Sequence, residues 1–179
     1  MNDVNRTPVI DTYYPPTDPT IFEGESQDFN ITYHDPDGDS LTIQWYQNGS
    51  LVGSDGSNIF VADYDSAGVY NVTVAVSDGL EEVSHEWTLA VLNVNRPPVI
   101  DTYYPLSNPT IREGESQEFN VTKSDADGDP LTVSWFLNST LLGETSDSYI
   151  FAAEPDSAGV YNVTVAVSDG LDKCPMNGC

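Results

Sequence analysis

Basic residues are nearly missing from this chain. Five Lys and Arg stand against 29 Asp and Glu among 179 residues, a net charge of −24. Such a surface repels a phosphate backbone and excludes nucleic acid as a partner. It suits solubility, a high-salt habitat, or the binding of hard cations such as calcium. No apolar run reaches the length of a helical membrane span. No secretory leader precedes the first structured stretch, which Met1 almost abuts, so the chain reads as a mature fragment. The only two cysteines, Cys174 and Cys179, stand in a tail that reads as peripheral; in an oxidising setting they would close a small disulfide loop. Neither offers enough neighbours for a zinc site. Nucleophile-elbow, zinc-protease and phosphate-loop motifs are missing, and His34 and His85 have no partner pattern for catalysis. Carboxylate pairs occur everywhere in so acidic a chain and signal no hydrolase. The expectation is a protein that is not an enzyme.

What is present is an internal repeat. The stretch Asp65–Leu80 returns unchanged as Asp156–Leu171, and Val4–Pro15 returns with one change as Val94–Pro105. Trp45 and Trp135 stand 90 residues apart, Ile59 and Ile150 91 apart, so the second copy carries one extra residue between Gly143 and Tyr149. Within Asp65–Leu80, Tyr70, Val72, Val74 and Val76 alternate with Asn71, Thr73, Ala75 and Ser77. That is the period of a half-buried strand. Turn residues flank it, and a turn followed by Gly-x-Tyr and a strand is the local pattern of a tyrosine corner in an immunoglobulin-like sandwich. Seven short strands are expected in copy one, near Val9–Tyr14, Gln27–Tyr33, Leu41–Tyr46, Leu51–Val52, Ile59–Val61, Tyr70–Val76 and Val83–Val91. Trp45 is the expected core tryptophan, matched by Trp135. The fold class is therefore all-β: two tandem immunoglobulin-like antiparallel β-sandwiches, over residues 1–95 and 96–179. A short linker around Asn93–Pro98 joins them, restricted by Pro97-Pro98.

The second copy departs from the plan after Leu171. Copy one continues as Glu81–Leu92, copy two as Asp172–Cys179, and by parity Cys174 and Met176 replace Val83 and His85. Nothing replaces Trp87, Leu89 or Val91. Each such side chain is worth roughly 1.5–3 kcal/mol of burial. The second module is expected to be unstable by itself, or to expose the edge of its Tyr161–Val167 strand to pairing with another chain.

Asp-x-Asp-Gly-Asp-x-Leu-Thr before the Trp strand, with Ala-Gly-Val-Tyr-Asn-Val-Thr-Val-Ala-Val-Ser-Asp-Gly-Leu after it, resembles polycystic-kidney-disease (PKD) domains and related immunoglobulin-like modules. The likeness spans nearly the whole chain. One departure is the family's Trp-Asp-Phe-Gly-Asp-Gly motif, in whose place the tryptophans sit in WYQNG from Trp45 and WFLNS from Trp135. The resemblance implies a spacer, adhesion or surface-coat module without catalysis, of the kind found in archaeal surface layers and in secreted bacterial enzymes. A weaker likeness to cadherin repeats rests on Asp125-Ala126-Asp127. It implies calcium held by acidic loops, with Glu23, Glu25, Asp63, Asp65, Asn93, Asn95, Asp125, Asp127, Asp129 and Asp169 as candidate ligands. Val94 stands where that pattern has an aspartate.

The residues also give a direct reason to consider calcium. Asp35, Asp37 and Asp39 crowd one turn, as do Asp125, Asp127 and Asp129, and a hard cation relieves their repulsion. Asp78 and Asp169 would join from a neighbouring loop. The competing reading is a solvated turn in which aspartate caps its own backbone. Asn-x-Ser/Thr sequons at Asn5, Asn30, Asn48, Asn71, Asn120, Asn138 and Asn162 suit glycosylation at outward strand positions, or simply a polar outer face. Tyr13-Tyr14-Pro15 and Tyr103-Tyr104-Pro105 offer aromatic faces to a sugar, or cover the sandwich edge. The expected function is a non-catalytic extracellular structural or adhesion module, a spacer in a cell-surface or surface-layer protein stiffened by calcium. Its partners would be other surface domains, copies of itself, or polysaccharide. The alternatives are a carbohydrate- or protein-binding accessory module of a secreted hydrolase, and self-assembly through the open edge.

Overall fold

A computed structural model describes residues 4–175. The chain divides into two compact units, Met1–Val94 and Asn95–Cys179. The described residues contain strands and no helix.

The first unit is a two-sheet sandwich. Strands β1 (Val9–Tyr14), β3 (Ser26–His34) and β6 (Ser57–Val61) form one sheet in the order β1-β3-β6. Strands β2 (Thr20–Phe22), β8 (Glu82–Leu92), β7 (Gly68–Ser77), β4 (Thr42–Gln47) and β5 (Ser50–Gly53) form the other, in the order β2-β8-β7-β4-β5. All pairs are antiparallel except β2–β8, which runs parallel. Alternation selects the core. Phe29, Trp45, Val72, Val74, Val76, Trp87, Leu89 and Val91 are buried between the sheets. Ala75, expected on the outer face, is buried too. Trp87 is the centre of an aromatic stack, with ring centroids 5.9 Å from Trp45 and 5.1 Å from Phe29. Its Nε1 donates to the Pro15 carbonyl at 2.8 Å, and Trp45 Nε1 donates to Asp55 O at 2.7 Å. Both indoles are thus buried without an orphaned N–H. Tyr70 donates its hydroxyl to Ser66 O at 2.9 Å, closing the tyrosine corner.

The second unit repeats the first sheet, with β13 (Ser148–Ala152), β10 (Ser116–Ser124) and β9 (Val99–Tyr104) in the order β13-β10-β9. Its other sheet has β12 (Thr140–Leu141), β11 (Thr132–Leu137), β14 (Val163–Ser168) and β15 (Lys173–Pro175), in the order β12-β11-β14-β15. The contrast with the first unit lies in the last strand. β7 pairs with β8 over ten rungs, from Ser77–Glu82 to Gly68–Val91. β14 pairs with β15 over three, Ser168–Lys173, Val167–Cys174 and Ala166–Pro175. Two further elements change with it. Gly68–Asn71 lie in β7, but the same residues at Gly159–Asn162 lie outside β14. Thr20–Phe22 forms β2 against β8, but no strand forms at 110–112. Among the described residues, neither segment has the partner that holds its counterpart.

Candidate functional site

The acidic turns are built alike in both units. Asp35 Oδ1 accepts the backbone N–H groups of Asp37 at 2.7 Å and Asp39 at 3.1 Å. Asp125 Oδ1 accepts those of Asp127 at 2.8 Å and Asp129 at 3.2 Å. Gly38 and Gly128 take φ of 84° and 77°, which a side chain would strain. The fold brings the ligand-type oxygens of Asp35, Asp37 and Asp39 within 4.8 Å of one another, and likewise those of Asp125, Asp127 and Asp129.

The central aspartate of each turn is claimed by an arginine, which the sequence reasoning missed. The Arg6 backbone N–H donates to Asp37 Oδ2 at 2.8 Å and its Nε to Oδ1 at 2.7 Å. Arg96 grips Asp127 the same way, at 2.6 Å for both bonds. The second guanidinium arm reaches the carbonyls of Pro36 and Ala126. The side-chain and backbone hydrogen bonds from Arg6 hold the Asp37 carboxyl below its ordinary pKa. Those from the Arg96 backbone and side chain do the same for Asp127. The neighbouring asparagine completes a clamp: Asn5 Nδ2 donates to Asp78 at 2.9 Å, and Asn95 Nδ2 to Asp169 at 3.1 Å and Asp172 at 2.9 Å. Asp78 and Asp169 also sit below their ordinary pKa, held first by the backbone N–H of Glu81 and Asp172 respectively. Val-Asn-Arg opens each copy, so the clamp was visible as a repeated motif; its partners lie about 31 and 73 residues away in the sequence and needed the fold.

One oxygen in each turn is left over. Asp35 Oδ2 and Asp125 Oδ2 are buried and accept no hydrogen bond from the protein, and neither does Asn95 Oδ1. The donor set suits a hard cation in kind, being all oxygen, but is short in number. Calcium takes six to eight ligands, and the middle aspartate is already neutralised by an internal guanidinium.

Within the first unit, the other candidate ligands serve the backbone. Glu23 is the buried charge of the first unit, 4% exposed, and works as a backbone cap: Oε1 accepts Ala67 N–H at 2.8 Å and Oε2 Val94 N–H at 3.0 Å. Glu25 accepts Phe22 N–H. Asp63 accepts Ser66 N–H through its backbone. Among the described residues, Glu23, Glu25, Asp63 and Asp65 form no three-ligand cluster, and Asn93 is exposed.

Of the sequons, Asn30, Asn48, Asn138 and Asn162 are exposed and Asn5, Asn71 and Asn120 half-buried. Asn48 and Asn138 are also turn locks: their Oδ1 atoms accept the N–H of Asn71 and Asn162, at φ of 48°. Cys174 is buried, and no free cysteine occurs among the described residues. Its expected partner, Cys179, lies outside them. Tyr13 and Tyr14 are exposed, and Tyr13 stacks on His85 at 3.8 Å; burial pulls the His85 pKa down.

Comparison with known proteins agrees with this architecture. A PKD domain model matches residues 13–91, and a bacterial Ig domain model matches residues 95–174. A chitinase A from Pseudoalteromonas piscicida is 29% identical over 177 residues, covering 94% of this chain. The chain spans about a fifth (21%) of that enzyme's length. Among solved structures, the titin domains z1z2 in complex with telethonin match at 16% identity over 97% of this chain and 94% of theirs, TM-score 0.46. The Clostridium thermocellum CbhA fibronectin(III)-like modules match at 18% identity over 94% of this chain and 90% of theirs, TM-score 0.39. With the strand pairing and the tyrosine corners, the domain matches identify the chain as a tandem of PKD-like, immunoglobulin-like β-sandwich domains.

Proposed function

We propose that the chain is a non-catalytic accessory pair of an extracellular protein, spacing or presenting other domains. An accessory role beside a secreted polysaccharide-degrading enzyme is favoured over a surface-layer role. The observation that carries this choice is the chitinase match: nearly all of this chain aligns with a fifth of that protein. Two sandwiches joined by a short linker suit a spacer. The test uses the purified chain with insoluble chitin and a soluble chito-oligosaccharide. A spacer remains in the supernatant and leaves the oligosaccharide intact. Co-sedimentation with chitin would make the pair a carbohydrate-binding module instead, and hydrolysis would overturn the non-catalytic reading.

Calcium at the acidic turns is the second part of the proposal, favoured by the buried, unpartnered Asp35 Oδ2 and Asp125 Oδ2. Asp39 and Asp129 would add carboxylates, and water the remaining positions. Arg6 and Arg96 compete with the ion by charge. Replacing Arg96 with Gln is therefore expected to increase a calcium-specific rise in melting temperature, measured against a chelator at fixed high ionic strength. No calcium-specific rise in either protein would leave the turns as self-capped loops.

A further inference from the structure

The three-stranded sheet of each unit turns the same row of side chains outward. Across β1, β3 and β6 the row is Tyr14, Asn30 and Ser57, because Asn30 pairs with Tyr14 on one side and Ser57 on the other. Across β9, β10 and β13 it is Tyr104, Asn120 and Ser148. Cross-strand partners share a face, with Cβ atoms about 4.5–5.5 Å apart. Phe29 and Ile31, the chain neighbours of Asn30, are buried, so the row faces away from the core. Packing does not account for the tyrosines: Tyr14 is 50% exposed and Tyr104 53%. Each asparagine opens an Asn-x-Thr sequon, Asn30-Ile31-Thr32 and Asn120-Val121-Thr122. The other sequon asparagines have structural work. Asn5 donates its Nδ2 to Asp78. Asn48 and Asn138 lock their turns, and Asn71 and Asn162 accept the hydroxyls of Thr73 and Thr164. The carboxamides of Asn30 and Asn120 make no hydrogen bond among the described residues. Each therefore has a free Nδ2 with an exposed aromatic ring on one side and a small serine on the other.

We propose that Asn30 and Asn120 carry N-linked sugar, and that Tyr14 and Tyr104 are the platforms on which the first sugar residue of each chain rests. The donor is a lipid diphosphate-linked oligosaccharide. Asn Nδ2 bonds to the anomeric carbon and gives up one proton, while the bond from that carbon to the diphosphate oxygen breaks and the lipid diphosphate leaves with the electron pair. A sugar on Asn30 costs the folded sheet no hydrogen bond, whereas one on Asn5 would displace the bond to Asp78. The pyranose ring has an apolar face of C–H groups, and the exposed face of Tyr14 offers it the flat apolar surface it needs. Ser57 and Ser148 leave room on the opposite side. The hydroxyl that completes the sequon, Thr32 Oγ1, is hydrogen-bonded to Thr12 Oγ1 at 2.7 Å, and Thr122 is bonded to Thr102 in the same way. The sugar is therefore added before β1 pairs with β3 and β9 with β10, and the sheet then closes beneath it. A bulky polar group at this position covers the exposed tyrosine and shields the outer face of each sheet.

The test is to secrete the full chain from cells that carry an oligosaccharyltransferase and its lipid-linked donor, and to map the glycopeptides of the folded product by mass spectrometry. Sugar is expected at both Asn30 and Asn120; its absence from both would overturn the proposal. The platform is tested by melting temperature, comparing the glycosylated chain with an Asn30→Gln, Asn120→Gln variant made in the same cells. The sugar is expected to raise the melting temperature by about 4 °C. The comparison is then repeated in a Tyr14→Ser, Tyr104→Ser background, where the gain should vanish, and in a Tyr14→Phe, Tyr104→Phe background, where the ring and the gain should both remain. Because each comparison is made within one background, any loss of stability from the tyrosine change itself cancels. A gain that survives Tyr→Ser, or no gain in the parent chain, would overturn the role of the tyrosines.

Discussion

At the scale of single residues, the arginine clamps explain how so acidic a chain keeps three aspartates in one turn. The guanidinium of Arg96 neutralises Asp127, whose side chain is only 5% exposed, and its counterpart Arg6 neutralises Asp37. Because the folded Asp127 holds its proton less tightly than an unfolded aspartate, its stabilising effect is present above the ordinary carboxylate pKa. That effect is lost as the pH falls through the lower, folded value. Arg96→Gln is therefore expected to lower the melting temperature near neutral pH and to change it little in strong acid. Carboxyl NMR should find the Asp127 pKa returning toward its usual range; an unchanged titration would remove Arg96 as the cause. The tyrosine corner gives a second residue-level test. Tyr70→Phe deletes one partly buried hydrogen bond to Ser66 O and is expected to cost about 1 kcal/mol in denaturant unfolding. The corner was legible in the sequence because Tyr70 and Ser66 lie in one local motif. The clamps were not, because Arg6 and Asp37 become neighbours only once β1 and β3 have paired.

At the scale of elements, one sequence in two settings separates local preference from tertiary support. GVYNVTVAVS is a ten-residue strand as β7, whereas its second copy is a strand only over Val163–Ser168. Strand preference is identical in the two, so the difference comes from the neighbour: β8 covers Gly68–Asn71, and no strand among the described residues covers Gly159–Asn162. Val69 is 69% exposed and Val160 98%. Alternation in the sequence marked both strands. It could not mark β2, a three-residue strand after Pro19 that exists only by parallel pairing with Ala90–Leu92. Hydrogen exchange is expected to be faster at Gly159–Asn162 than at Gly68–Asn71, and equal rates would mean that the edge is covered. Trp87→Ala should open a cavity in the first unit at a cost of about 3–5 kcal/mol. A smaller loss would mean that Trp45 and Phe29 collapse into the space.

At the scale of the whole molecule, the two units have cores of different size under one high negative charge. The first core contains three residues, Trp87, Leu89 and Val91, that the second core lacks among the described residues. Burial of side chains this large is worth roughly 1.5–3 kcal/mol each, and a domain's whole stability is only about 5–15 kcal/mol. The deficit is thus comparable to the stability itself, while the charge acts on both units. Calorimetry of the chain is expected to resolve two transitions, with the second unit melting first. Monovalent salt should raise both by screening the repulsion. Trp135→Phe assigns the transitions, because Trp135 lies in the second core alone: the lower one should move and the upper one remain. A single transition that shifts as a whole with Trp135→Phe would mean that the units unfold together.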